Sequence, residues 1–443
     1  MTLERDAGQP HLGQAHPGQP HLGQAHPGQA ASQVLAEGVG RRTLLRAAAG
    51  LATVGATGLA LPATARAAEP ADLRILQPGV GPLRGSYLPS RPGQVYWGKL
   101  PNRSSEPILS LASGGVVTID TVSHEGVLED QGRDPREYFG GFGVPESKVL
   151  RDAVRVAEDA VHDGPGPHVV TGPVAVRGAQ PGDVLKVEVL DLRLRVPYGV
   201  ISNRHGKGAL PGEYPEAWED VPRLQKYFNE GGNVSVFTPV AQDAGGLRGQ
   251  LPGVRNGFPL APFMGLMGVA RDTRELVDSV PPTVTGGNID INDLGVGSTL
   301  WLPVQVAGAK FFTGDPHMAQ GDGEVALTAM EGSLRATFRL TVVKPGGAAP
   351  SVAFDGYAFG ETASHWLPIG LSDPDGPVDG QFTSLDLAMK AAVRNAMAFL
   401  TRDLGMDAPV AYAYLSAAAD FQVSQVVDRT TGVHALVRKA DFR

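Results

Sequence analysis

Cysteine is absent from all 443 residues, which removes thiol nucleophiles, thiolate metal sites, iron-sulfur clusters and disulfide scaffolds. Several motifs are missing too. No serine stands in G-x-S-x-G, and H-E-x-x-H, the phosphate loop and G-x-G-x-x-G do not occur, so the common serine-hydrolase, zinc-protease and nucleotide-binding readings fall away. No nucleotide or flavin cofactor is expected. Asp290-Ile291-Asn292 opens like a calcium loop, but Leu294 and Val296 occupy ligand positions, which rules out an EF-hand. Basic charge is also scarce. The formal net charge is -8, and five arginines against three acids leave the first 67 residues at +2, so the remainder stands at -10. A body this acidic argues against nucleic acid and against anionic membrane surfaces.

What is present divides the chain unequally. Residues 11–20, HLGQAHPGQP, recur as HLGQAHPGQA at 21–30, a Gly/Pro/Gln/His repeat unable to bury a core, so residues 1–40 are expected to be a disordered leader. Arg41-Arg42-Thr43-Leu44-Leu45-Arg46, an uncharged run from Ala47 to Ala65, and Ala65-Arg66-Ala67 fit a twin-arginine export signal over 41–67 with cleavage after Ala67. The mature protein is then expected outside the cytoplasm, in the periplasm, cell envelope or medium. No second apolar segment of spanning length appears, so no stable membrane anchor is expected after cleavage.

The remaining 68–443 reads as mainly β. Leu185, Val187 and Val189 alternate with Lys186 and Glu188, and Ala336, Phe338, Leu340 and Val342 alternate with Thr337, Arg339 and Thr341. Val116–Val122 and Val174–Arg177 also read as strands. Dense turn punctuation, with 58 Gly and 36 Pro, suits short strands in a sandwich-like core. Helices are few. Ser384 caps a stripe of Leu385, Ala388, Ala392, Ala396 and Leu400 ending at Gly405, and 408–419 and 148–161 are two more candidates.

The densest polar stretch is Asp315-Pro-His-Met-Ala-Gln-Gly-Asp-Gly-Glu324, expected as a loop between a strand at Thr299–Val306 and the apolar Val325–Met330. A metal-activated water needs imidazole or carboxylate ligands and a nearby carboxylate base, and His317, Gln320, Asp322 and Glu324 with Asn288 and Asp290 supply these parts. Spacing leaves a second reading open: a plain turn at Gly321-Asp322-Gly323, a solvated Glu324 and a hydrogen-bonded core histidine at 317.

Gly287-Asn-Ile-Asp290, Gly297-Ser-Thr-Leu-Trp-Leu-Pro-Val304 and Gly314–Val325 together resemble the central signature of the acetamidase/formamidase family. Thr171–Asp183 resembles its first strand pair, and Ala411–Asp420 with Val426-Val427-Asp428 its closing segment. His124-Glu125-Gly126, Leu128–Asp134 and Tyr198–Gly208 resemble the longer, acetamidase-like branch. The resemblance implies a β-sandwich with appended helices, a homo-oligomer, and hydrolysis of short linear amides such as acetamide and formamide to carboxylate and ammonia. It also implies site roles: Asp290 and His317 on a divalent metal, zinc or calcium; Glu324 or Asp322 as general base; Asn288 and Gln320 orienting the amide. His124 is an extra ligand, the acid that protonates departing ammonia, or a structural histidine. Arg204, His205 and Lys207 form a basic loop near glycines, suited to an anionic product, to covering a pocket or to a subunit contact. Export is unexpected for nitrogen scavenging, so a larger amide and a binding module without catalysis stand as alternatives.

Overall fold

The computed structural model describes residues 69–70, 73–373 and 384–442. The expected leader and export signal lie outside them. No helix among the described residues is long and apolar enough to cross a membrane.

The protein is mainly β. Two large sheets carry it, and their inner faces share one apolar core in which the Phe311 and Phe338 rings meet edge to face at 5.2 Å. One sheet runs through the strands 115–120, 334–343, 184–194, 299–303, 359–361, 365–371 and 432–438 in neighbour order. Its spine is the long pair Val184–Leu194 and Leu334–Val343, the two segments in which apolar and polar residues alternate. The other sheet centres on Phe311–Ala319, flanked by Phe263–Val269, by Met330–Glu331 and by Val169–Val176.

The helix Leu385–Arg402 buries Ala388, Ala392, Ala396 and Leu400. Its alanines allow very close approach to the strand His365–Leu371: a Cβ on Gly370 would sit 2.1 Å from the Ala392 amide nitrogen, so only glycine fits there. The other expected helices form as Ala408–Ala418 and Arg151–Asp159.

One expectation fails at the segment that matters most. Asp315–Ala319 is not loop; it is the second half of the strand Phe311–Ala319, buried through Met318, and only Gln320–Glu324 turns. The reason is its neighbours. Phe263–Val269 and Met330–Glu331 satisfy its backbone, so a polar sequence is held in a strand by pairing partners supplied from elsewhere.

Candidate functional site

Five carboxyls (Asp290, Asp315, Glu324, Glu331, Asp428) and three imidazoles (His124, His168, His317) gather in overlapping groups, each group with ligand-type atoms within 4.8 Å of one another, and every member is buried. His317 is the centre. Its partner in register on the adjacent strand is Glu331, which brings Glu331 Oε1 to 3.0 Å from His317 Nε2. Asp315 Oδ2 lies 2.9 Å from the same nitrogen and Glu324 Oε1 3.8 Å. His124 and Glu125 arrive from the chain after Gly115–Asp120, His168 from the residue before Val169–Val176, Asp290 from just beyond Gly286–Asn288, and Asp428 from the turn linking the last two strands.

Three of these carboxyls stand on left-handed backbone, Asp290 at φ 49°, Asp315 at φ 50° and Glu324 at φ 48°. That region is unfavourable for residues bearing a Cβ, and its concentration at one place is characteristic of working sites. Gly265 completes the arrangement. A Cβ there would lie 2.6 Å from Asp290 Oδ1, 2.7 Å from His317 Cε1 and 2.8 Å from Asp315 Oδ2, so the glycine keeps open the space on which these groups converge.

The hydrogen bonds orient the rings. Gln320 Nε2 donates to the carbonyls of Asp290 and Ser424 at 2.9 and 3.1 Å, which leaves its Oε1 to accept from His317 Nδ1 at 2.9 Å. His317 therefore carries its proton on Nδ1, and its neutral form turns the Nε2 lone pair towards the carboxylates. His168 follows the same pattern, with Nδ1 3.1 Å from the Ser279 carbonyl and Nε2 3.7 Å from Asp315 Oδ1. His124 Nδ1 lies 3.4 Å from that Oδ1 as well. Asp315 thus turns one oxygen to His124 and His168 and the other to His317.

These close approaches leave hydrogen-bonding capacity unused. Both nitrogens of His124, both oxygens of Asp290, Asp315 Oδ1, His317 Nε2, Asn288 Oδ1 and Glu331 Oε2 are buried without a properly aligned hydrogen bond. Orphaned buried polar atoms are rare, and so many at one point call for a ligand.

The electrostatics agree. Burial, with Glu324 and Asp428 adding repulsion, lifts the Asp290 carboxyl well above its usual range, and burial does the same to Glu324. Burial raises Glu331 to about 7, with Asp315 contributing, and Asp428 to about 7 likewise. His317 is pushed down by burial, but Glu331 and Asp315 more than offset this and hold it well above an ordinary histidine. Burial likewise opposes the ionised form of Asp315, yet His317 and His168 keep it well below the usual carboxylate range. His168 is lowered to about 4 by burial, whereas Asp315 and Glu125 overcome burial and raise His124 to about 10.

Of the residues expected from sequence, Asp290, His317, Glu324, Asn288 and His124 come together here. Asn288 Nδ2 donates to Asp428 Oδ2 at 2.9 Å, and its side chain lines the cavity. Gln320 does not reach the cavity; it positions His317. Asp322, expected as an alternative base, is exposed, and its carboxylate accepts from Asn292 Nδ2 at 3.0 Å. No site role is assigned from sequence to Asp315, Glu331, His168 or Asp428. Asp315 and Asp428 stand in segments of the family resemblance; Glu331 and His168 occur in sequence without any motif.

A cavity of about 670 Å³ opens onto the cluster, lined by Asp315, Glu324, Glu331 and His124 and, among apolar residues, by Leu128 and Leu327.

The acetamidase/formamidase family model matches residues 157–280 and 272–437. The chain belongs to that family. An acetamidase of Mycolicibacterium smegmatis is 26% identical over 53% of this chain and 69% of its own length. A formamidase of Methylophilus methylotrophus is 31% identical over 36% of this chain and 47% of its own. The matches thus span about half to two thirds of these relatives. Among solved structures, an acetamidase from Yersinia enterocolitica superposes over 84% of this chain and 96% of its own with a TM-score of 0.61 at 22% identity, which establishes a shared fold.

Proposed function

We propose that this family member hydrolyses a linear carboxamide to a carboxylate and ammonia, with a divalent ion held in the buried cluster. The observation that carries this reading is the approach of Asp290, Asp315 and His317 ligand-type atoms to within 4.8 Å of one another beside the space kept by Gly265, with Asp290 Oδ1 and Oδ2, Asp315 Oδ1 and His317 Nε2 buried and unsatisfied. The donor set fits an ion, and imidazole mixed with carboxylate suits zinc better than calcium, which favours oxygen alone. His317, Asp290 and Asp315 would hold it, with His124 and His168 beside the other Asp315 oxygen. When bound, such an ion polarises a carbonyl oxygen and makes water acidic near neutral pH.

The side chains supply the proton traffic. Glu324, whose carboxyl burial lifts well above its ordinary range, takes one from the attacking water. As the water oxygen bonds to the amide carbon, the carbon–nitrogen bond breaks and the nitrogen leaves with an added proton, for which charged His124 is the donor. Asn288 Oδ1 accepts from the substrate amide and orients it.

Ammonia release from formamide, acetamide and propionamide tests the reading, alongside elemental analysis of the purified protein. Turnover that does not fall from formamide to propionamide, and collapses in Glu324→Gln and His317→Ala, is expected; near wild-type turnover in both variants with the fold intact would sink it. A 670 Å³ cavity, within the roughly 300–1,000 Å³ range that accepts drug-sized ligands, favours a larger amide over acetamide as the natural substrate. No hydrolysis of any amide with metal supplied would instead favour a binding module. Export through Arg41-Arg42 and homo-oligomer assembly belong to the same proposal, to be checked by fractionating cells that express Arg41→Lys/Arg42→Lys and by light scattering.

A further inference from the structure

The lining of the cavity is not uniformly acidic. Arg204, Lys207 and Arg429 all contribute to it, on a protein whose body is acidic. Two of the three are matched. Arg204 Nη2 lies 3.3 Å from Glu125 Oε1 and its Nε 3.7 Å from Asp130 Oδ2, and Arg429 pairs with Asp278.

Lys207 differs. Among the described residues no carboxylate stands within ion-pair distance of its ammonium and nothing accepts a hydrogen bond from it, although Asp428 and Asp278 are near enough to attract it. By surface area it is an exposed residue, yet enough protein surrounds its ammonium that desolvation lowers its pKa, and the two arginines add repulsion. Three cations thus line part of one cavity, and of the three only the Lys207 ammonium has no carboxylate at ion-pair distance among the described residues. The two arginines repel the Lys207 ammonium, and an anion seated beside it would offset that repulsion. Consecutive residues Asp428 and Arg429 both line the cavity, so the cationic wall begins one residue from the carboxylate cluster.

Resting on the amide-hydrolase reading above, we propose that Lys207, with Arg204 and Arg429, binds an anionic group carried by the substrate, so that the preferred substrate is an amide bearing a carboxylate at its far end. The chemistry recognised is that of a dicarboxylic acid half-amide.

The test compares succinamate with pentanamide, a neutral amide of similar length, in the full-length metal-loaded protein. Wild type is expected to favour succinamate in kcat/KM by at least about tenfold. Lys207→Ala should lower that ratio about tenfold, and Lys207→Glu, at an exposed position that tolerates substitution, should lower it further. The preference should also weaken as salt is raised. A wild-type preference for the neutral amide, or an unchanged ratio in both variants, overturns the proposal. Succinate binding by calorimetry separates this proposal from the reading it rests on. Binding at least about tenfold tighter in wild type than in Lys207→Ala, without hydrolysis of any amide, would keep the anion site and remove the hydrolase; equal binding in both proteins, with amide hydrolysis intact, would do the reverse.

Discussion

Among the described residues, two clusters of buried charge are built on opposite plans. In the first, Arg335 holds both oxygens of Asp120 at 2.6 and 2.9 Å, and Arg195 reaches Asp152, the Leu76 carbonyl and the Thr121 carbonyl, each at 3.0 Å. Tyr87 donates to Asp120 at 2.6 Å. Charges alternate in sign and nearly every polar atom has a partner; the leftover oxygen of Asp152 still lies 2.8 Å from Arg195. In the second, around His317, carboxyls outnumber imidazoles and many polar atoms remain orphaned. Burial opposes unpaired charge in both clusters. The self-satisfied cluster fits a scaffold, and the unsatisfied one fits the ligand site proposed above.

That contrast can be broken or sharpened, starting with the largest effect. Glu324→Gln should reduce kcat by about 10²–10⁴-fold without lowering the unfolding midpoint, because it removes a proton carrier and one of several mutually repelling acids. A variant that loses stability and activity together would place Glu324 with the scaffold. Asp120→Ala should do the opposite, costing about 3–5 kcal/mol in denaturant unfolding by stranding Arg335 and Arg195 in the core.

Acid–base linkage gives the next contrast. Glu331 and Asp428 are raised to about 7 in the folded protein, so between roughly pH 4.5 and 7 the unfolded chain has released protons that the folded chain still holds. The contribution of these two acids to the stability of the metal-free protein should therefore fall as pH rises through that window, and His124, raised to about 10, should carry the decline further. With zinc bound, both carboxyls ionise at no such cost, and the decline should shrink. Thermal midpoints with and without chelator, taken from pH 4.5 to 8, would show it; parallel curves would detach these acids from the metal.

Gln320→Ala should lower zinc affinity about 10–100-fold, as expected when the group fixing a ligand histidine is lost, and competition with a chromogenic chelator would measure this. Asp322→Asn should change stability by no more than about 0.5 kcal/mol and leave ammonia release near wild type, since the residue is exposed and outside the cluster. A large loss there would return Asp322 to the site.

Much of the fold was legible along the chain because alternation is a local property. The strands at 184–194 and 334–343 and the helix at 385–402 declare themselves through periods of two and 3.6 residues. Part of the site was legible too, since Asp290, His317 and Glu324 belong to compact polar motifs. Glu331 gave no such sign. It follows an apolar run, and becomes a site residue only because a neighbouring strand sets it opposite His317.

By itself the sequence determined the chemistry available: no thiol, no serine elbow, no nucleotide loop, and a central segment rich in acids and imidazole. It also determined which segments alternate, and so that the body is mainly β. Only the tertiary structure decided that Asp322 faces solvent while Glu324 is buried, that Gln320 serves His317, and that His124, His168 and Asp428 join a cluster spread over some three hundred residues of chain. The physical reason is that burial and charge proximity are properties of three-dimensional neighbours, which strand register and backbone pairing assign and local composition does not.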